Sequence, residues 1–212
     1  MSVWAVVVAA GTGVRFGTLK QYEHLGGRRV LDWALERTRA VTDGVVLVVP
    51  PERAGESEPG VDAVVAGSDT RAGSVRAGLA AVPHDAEVVV VHDAARPLAS
   101  VELFQRVVDR VRAGADGAIP GVPLADTVKV VDDGTVIETL DRARLVAVQT
   151  PQAFAAATLR RAHEGDAEGT DDAALVEAIG GRVVVVPGEE ANAKITTQHD
   201  LVVARSMIDL LA

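Results

Sequence analysis

Short, nearly uninterrupted runs of Val and Ala alternate along this chain with amphipathic segments. The apolar runs occupy residues 3–10, 45–49, 61–65, 88–91 and 183–186. Strands covered by helices on both faces read this way, because neither side of a parallel sheet meets water. Between the runs, Val30, Leu31, Ala34 and Leu35 fall on one helical face, as do Val75, Leu79 and Val82. Val101, Phe104, Val108 and Val111 repeat that spacing, with Ser100 placed to cap their helix. Leu201, Ala204, Ile208 and Leu211 close the chain on a last one. This alternation predicts an α/β protein built on a mostly parallel, doubly wound sheet.

One stretch breaks the rhythm. Two β-prone runs, 127–131 and 135–140, are separated by Asp132-Asp133-Gly134, a hairpin signal. No helix lies between them, so they form no βαβ unit. From pattern alone, this β-arm at about 124–144 is either a flap on the sheet edge or a limb reaching another subunit. Residues 52–60, with Pro, Gly, Ser and Glu, read as one exposed loop. A length of 212 residues predicts a single domain spanning 1–212.

Composition narrows the function classes. Aromatics are only 3%, so the core must be built from Val, Ala and Leu. The absence of cysteine excludes disulfides, thiol catalysis and thiolate metal sites, and it fits a reducing compartment. The amino terminus has no basic region before its apolar run, and no stretch approaches the roughly 20 apolar residues that span a bilayer. A soluble, unprocessed, cytoplasmic chain is expected. A net charge of -9 argues against a nucleic-acid or anionic-membrane surface, both of which need a broad basic face. A small polyanion needs only a few aimed cations and backbone N–H groups, and acidity does not exclude it.

Candidate chemistry begins at Ala9-Ala10-Gly11-Thr12-Gly13-Val14-Arg15, directly after the first predicted strand, followed by Lys20-Gln21-Tyr22. Small residues at a strand's carboxyl end let backbone N–H groups approach phosphate oxygens. Arg15 can clamp phosphates bidentately, and Lys20 adds a compact charge. The segment lacks the Gly-Lys-Ser/Thr of a P-loop, and Phe16 stands where a dinucleotide fingerprint needs its third glycine. His92-Asp93-Ala94-Ala95-Arg96-Pro97 ends an all-Val strand, where ligands of open sheets collect. Asp93 can face a hydrated magnesium ion or a ribose and Arg96 a phosphate, or the two can close a turn; His92 reads as a packing residue. Ser68-Asp69-Thr70-Arg71 with Ser74, and Gly169-Thr170-Asp171-Asp172, read equally as helix caps. Thr150-Pro151-Gln152 and Asn192-Ala193-Lys194-Ile195-Thr196 are weak signals singly.

Taken in order, and with Asp126-Thr127 and Asp141-Arg142, these motifs resemble the family of 2-C-methyl-D-erythritol 4-phosphate cytidylyltransferases over nearly the whole chain. The resemblance implies a Rossmann-like nucleotidyltransferase fold that moves the cytidylyl group of CTP onto a polyol phosphate, with magnesium or another divalent cation. It implies a homodimer in which each β-arm helps build the neighbour's site. Arg15, Lys20, Arg142 and Lys194 would be catalytic. Ala9, Ala10, Gly11, Gly13, Ser68, Asp69 and Ser74 would bind the nucleotide. Asp93, Arg96, Thr127, Arg142, Thr150, Thr170 and Lys194 would bind the acceptor, with Asp93 also the candidate metal ligand and Thr127 and Arg142 supplied by the partner's arm. Leu19 stands where the family usually has Pro, and the segment from Arg15 to Lys20 is shorter by about two residues, which frees φ before Lys20. A ribitol-5-phosphate cytidylyltransferase shares much of this motif set, and a non-catalytic nucleotide-binding domain would share the scaffold without the cations.

Overall fold

A computed structural model describes residues 1–11, 13 and 16–209. The first half runs β1 (Val3–Val8), two short strands β2 (His24–Leu25) and β3 (Arg28–Arg29), α1 (Val30–Arg39), β4 (Gly44–Val49) and β5 (Ala63–Ala66). It continues through α2 (Arg71–Ala81), β6 (Val88–Asp93) and α3 (Val101–Arg112). The second half has β7 (Gly117–Pro123), β8 (Lys129–Asp132), β9 (Thr135–Thr139), β10 (Val146–Val148) and β11 (Gln152–Ala155). It ends with α4 (Ala156–Ala162), α5 (Asp172–Ala178), β12 (Val183–Pro187) and α6 (Gln198–Asp209).

The main sheet has the order β10-β7-β11-β6-β1-β4-β5, with β12 pairing β7. β1 pairs in parallel with β4 and β6, and β4 with β5, which is the doubly wound half that the Val-rich runs predict. Alternate residues of these strands face opposite helical layers. Val3, Ala5, Val7, Leu47 and Val90 pack with Leu35 of α1 and with Leu103, Phe104 and Val107 of α3. Val6, Val46, Val48 and Val91 pack with Val75 and Leu79 of α2 and with Leu159 of α4. Strands buried on both faces have no polar side to spare, hence the unbroken Val runs.

β11 inserts antiparallel between β6 and β7, and β10 runs antiparallel to β7, so the sheet is parallel only on its β5 side and across β7–β12. β8 and β9 form a separate two-stranded sheet whose Val131, Val136 and Ile137 are exposed. A third apolar cluster joins Phe16, Leu25 and Val30 to Ile195 and to Leu201, Ala204 and Ile208 of α6. Phe16, which breaks the dinucleotide fingerprint, is thus a core residue holding α6 beside the first turn. Leu211 lies outside the described residues. No helix among those described is long and apolar enough to cross a membrane.

Ser100 caps α3 by accepting from the Leu103 N–H at 3.0 Å, as expected. α2 approaches the sheet through Gly78: a Cβ there would overlap the side chains of Val6 and Val48. Gly78→Leu should therefore overpack this layer and lower stability by about 1–3 kcal/mol. An unchanged urea midpoint for the variant would contradict the close approach.

Candidate active site

The carboxyl ends of β1 and β6 and the loop after β5 converge on one edge of the sheet. Ala9 leaves β1 with its N–H donating to Val48 O at 2.7 Å, which fixes where the glycine turn starts. Gly13 has φ 68° and a Cβ there would run into Thr18 O, so only glycine fits. The N–H groups of Phe16 and Gly17 both donate to Gly13 O at 2.8 Å. Gln21 is 2% exposed, and its Nε2 donates to Ala9 O at 2.6 Å and Gly11 O at 3.3 Å. Gln21 thereby locks the glycine turn to the 3₁₀ turn Lys20–Tyr22, which carries Lys20. Arg15 lies outside the described residues.

Two cavities adjoin at this edge. The larger, about 410 Å³, is lined by Ala9, Ala10 and Gly11, by Lys20, and by Ser68, Asp69 and Ser74. The smaller, about 320 Å³, is lined by Arg96, Gln149, Thr150, Gln152, Thr170 and Asp171. Arg71, Asp93 and Lys194 line both. The caps inferred from sequence are present in the same loops: Thr70 caps α2, accepting from Gly73 N–H at 3.0 Å, and Asp171 caps α5, accepting from Ala174 N–H at 2.9 Å. Capping and cavity lining are therefore not alternatives here, since a capped helix start holds its loop still.

Asp93 is the electrostatic centre. Its Oδ2 accepts from Lys194 Nζ at 2.7 Å and its Oδ1 from Arg71 Nε at 3.4 Å. Its own N–H donates to Thr150 Oγ1 at 3.0 Å. Burial opposes its ionisation, yet Arg71 and Lys194, with Arg96 farther off, hold the carboxyl well below the usual carboxylate range. Arg71 was assigned no role from sequence, although it stands in the Asp-x-Arg motif; its helix-cap context hid it. Burial alone would lower the Arg71 guanidinium, but Asp172 and Asp93 more than offset this and raise it. Burial pushes the Arg96 guanidinium below its ordinary value, and its Nη1 donates to Asn192 O at 2.8 Å. Arg96 thus braces the Asn192 loop that presents Lys194, and Asn192 Nδ2 donates to Thr150 O at 2.9 Å.

Three buried polar atoms without a hydrogen-bond partner among the described residues, Arg71 Nη2, Arg96 Nε and Gln152 Oε1, belong to walls of the smaller cavity. Each such group costs about 1–3 kcal/mol, so their clustering marks a region not arranged for stability alone. Thr127 and Arg142 lie exposed on the arm and line neither cavity within one chain. Arg142 instead borders a cavity of about 330 Å³ at the arm's base and donates to Ala125 O. His92 is the packing residue expected: fully buried, against the Phe104 ring, with Nε2 at 3.2 Å from Arg96 O.

A sequence model of the 2-C-methyl-D-erythritol 4-phosphate cytidylyltransferase family matches residues 3–209. The chain belongs to this family. It is 48% identical over 216 residues to the Rhodococcus opacus 2-C-methyl-D-erythritol 4-phosphate cytidylyltransferase, covering 98% of this chain and 95% of the relative. It is 45% identical over 225 residues to the bifunctional enzyme IspD/IspF of Nitratidesulfovibrio vulgaris, covering 95% of this chain and 57% of that longer protein. The chain thus spans little more than half the length of such bifunctional relatives. The crystal structure of the Thermus thermophilus 2-C-methyl-D-erythritol 4-phosphate cytidylyltransferase superposes with TM-score 0.85 and 34% identity, covering 99% of this chain and 100% of that one.

In this cytidylyltransferase family member, His92 links the site to stability. Burial lowers its pKa from 6.5 to about 4. Between those values the unfolded chain holds a proton that the folded chain refuses. The contribution of neutral His92 is complete above pH 6.5 and is lost as pH falls toward about 4, amounting to about 3 kcal/mol. Urea midpoints at pH 4.5 and 7.5 should differ less for His92→Gln than for the unsubstituted protein, and equal pH dependence would contradict the assignment.

Proposed function

We propose that the chain, as a cytoplasmic enzyme, transfers the cytidylyl group of CTP to 2-C-methyl-D-erythritol 4-phosphate and releases pyrophosphate, in non-mevalonate isoprenoid biosynthesis. The family match over residues 3–209, falling on two adjoining cavities that share Arg71, Asp93 and Lys194, is the observation that carries this reading. The larger cavity then takes the nucleotide and the smaller the acceptor. An acceptor phosphate oxygen attacks the α-phosphorus in line. A new P–O bond forms there while the bond to the α–β bridging oxygen breaks, and that oxygen leaves with pyrophosphate. The second pKa of a phosphate monoester is about 6, so the attacking oxygen is already anionic and no general base is needed. Buried, neutral His92 suits that chemistry.

The obstacle is bringing two polyanions together while charge grows on the bridging oxygen. Fixed cations and positioning supply the remedy. In this reading Arg15 and Lys20 stabilise the triphosphate, with Ala9, Ala10, Gly11, Gly13, Ser68, Asp69 and Ser74 holding the nucleotide. Asp93, Arg96, Thr150, Thr170 and Lys194 hold the acceptor. Asp93 is the carboxylate placed to meet a divalent cation, and no cluster of three or more His, Cys, Asp or Glu that could hold one occurs among the described residues. One carboxylate plus phosphate oxygens and water suits magnesium, which dehydrates reluctantly. Bound magnesium would supply charge neutralisation on the phosphates.

Thr127 and Arg142 join the acceptor site in this reading from a neighbouring subunit's arm, making the working unit a homodimer. The exposed Val131, Val136 and Ile137 of the arm support this, since an isolated two-stranded hairpin is marginal in water.

Pyrophosphate release should be measured from CTP with methylerythritol phosphate, with ribitol phosphate and with no acceptor. Release specific to methylerythritol phosphate is expected. Release confined to ribitol phosphate would change the acceptor, and release with neither would remove the activity. Lys20→Ala should lower kcat by roughly 10²-fold or more, the scale of losing one donor to a developing anion. Turnover of that variant at the unsubstituted rate would remove Lys20 from the mechanism.

A further inference from the structure

The segment that walls the smaller cavity is held by more than the cap of its own helix. α5 has only seven residues, and Thr170 and Asp171 precede it at its start. Its first residue, Asp172, is 1% exposed and carries a carboxylate into the interior. Oδ2 accepts from Arg71 Nη1 at 2.7 Å, and Oδ1 accepts from His163 Nε2 at 3.0 Å. His163 is the residue that ends α4, and it is buried as well. Arg71 is the first residue of α2, directly after the Ser68–Asp69–Thr70 loop of the larger cavity. Two further ties run the same way: Thr70 Oγ1 donates to Glu168 Oε1 at 2.9 Å, and Arg76 Nη1 donates to Ala167 O at 2.6 Å. The wall of one cavity is thus pinned to the helix start of the other.

Arg71 also divides itself between two carboxylates. Nη1 serves Asp172 while Nε reaches Asp93, and Asp93 in turn holds Lys194. If the charge at Asp172 were deleted, Asp93 would be the one carboxylate left in an ion pair with Arg71 among the described residues. Arg71 would then compete directly with Lys194 for it, and Thr170 would lose the anchor two residues away. The first consequence touches both cavities, which share Arg71, Asp93 and Lys194, and the second falls on the smaller cavity alone, so the smaller one is affected more.

We propose that Arg71 and Asp172 are positioning residues that set the acceptor cavity through a buried ion pair, with His163 holding the far side of the Asp172 carboxylate. This rests on the cytidylyltransferase reading above and names how its acceptor site is held. Asp172→Asn is the suited test because it can keep the geometry: its amide oxygen still accepts from Arg71. Its amide N–H can donate to His163 Nε2 once the imidazole proton has moved to Nδ1. The charge is lost, and the imidazole N–H is shifted onto Nδ1, a buried atom without a partner among the described residues.

The acceptor KM of Asp172→Asn should rise by roughly tenfold, within the span usual for coupled sites, while the CTP KM changes by less. A purely structural role would instead reduce the folded fraction, lowering kcat with both KM values unchanged. Unchanged kinetics, a fall in kcat alone, or a CTP KM rising as much as the acceptor KM would each overturn the proposal. If Asp172→Asn does not fold, Arg71→Lys carries the same test with the same outcomes, since an ammonium cannot bridge two carboxylates as a guanidinium does. Failure of the unsubstituted protein to release pyrophosphate with methylerythritol phosphate would remove the functional reading itself, and this inference with it. Activity in that protein with unaltered KM values in the variants would remove only this inference.

Discussion

Asp93 carries a full negative charge to the buried end of a strand made of Val88, Val89, Val90 and Val91, and the site is arranged around what that requires. An unpaired carboxylate there would be strongly disfavoured, because burial removes its hydration. Lys194 and Arg71 satisfy it from opposite parts of the sequence, one from the loop before α6 and one from the start of α2. The pairing therefore fixes two cations at the junction of two cavities before any substrate arrives. Preorganisation of this kind is what a reaction between anions needs, since cations already in place need not reorganise as charge develops. Thr150 completes the arrangement by accepting the Asp93 N–H, tying β6 to the turn that leads into β11.

The half of the fold built on β1, β4 and β6 was legible because strands buried on both faces leave an uninterrupted apolar signature. In the other half the hairpin of β8 and β9, the run that became β12 and the last helix were legible too, but β7, β10, β11 and α4 were not. β7 reads Gly117-Ala118-Ile119-Pro120-Gly121-Val122-Pro123, and its two prolines and two glycines argue against a strand on propensity. It forms because β10, β11 and β12 all pair with it, a tertiary effect that no local pattern reports. β11 has four residues, and α4 and α5 seven each, too short for periodicity to stand out. Glycine and cation motifs picked out residues that the fold brings to one edge of the sheet. Gln21 and Arg71 went without roles because their partners, Ala9 O and Asp172, become visible only once the chain is folded.

Phe16 shows how one residue can be read correctly for a negative conclusion while its positive role stays hidden. Its bulk breaks the dinucleotide fingerprint. In the structure that same bulk is 5% exposed and packs with α6 and with Leu25. Gln198 Nε2 reaches Phe16 O at 3.4 Å, so the turn is braced from α6 by a polar contact as well as an apolar one. A turn held in this way can do without the close glycine-mediated packing of helix on strand that a dinucleotide site uses.

The side-chain charges of the larger cavity bear on how a triphosphate would be attracted to it. Among the described residues, Lys20, Arg71 and Lys194 share its lining with Glu52, Asp69 and Asp93, three cations against three carboxylates. Near cancellation on a chain whose overall charge is -9 leaves little net attraction for a polyanion from these side chains. On the proposed reading the deficit must be met by Arg15, by backbone N–H groups of the glycine turn, and by a divalent cation arriving with the nucleotide. The smaller cavity differs, because Arg71, Arg96 and Lys194 outnumber Asp93 and Asp171. Arg96 is the cation it does not share with the larger cavity, and a phosphate monoester has fewer charges to neutralise than a triphosphate. On the proposed reading the two cavities thus differ in the manner the two substrates do: one would leave room for a metal to bring the balance, and the other would supply it from fixed side chains.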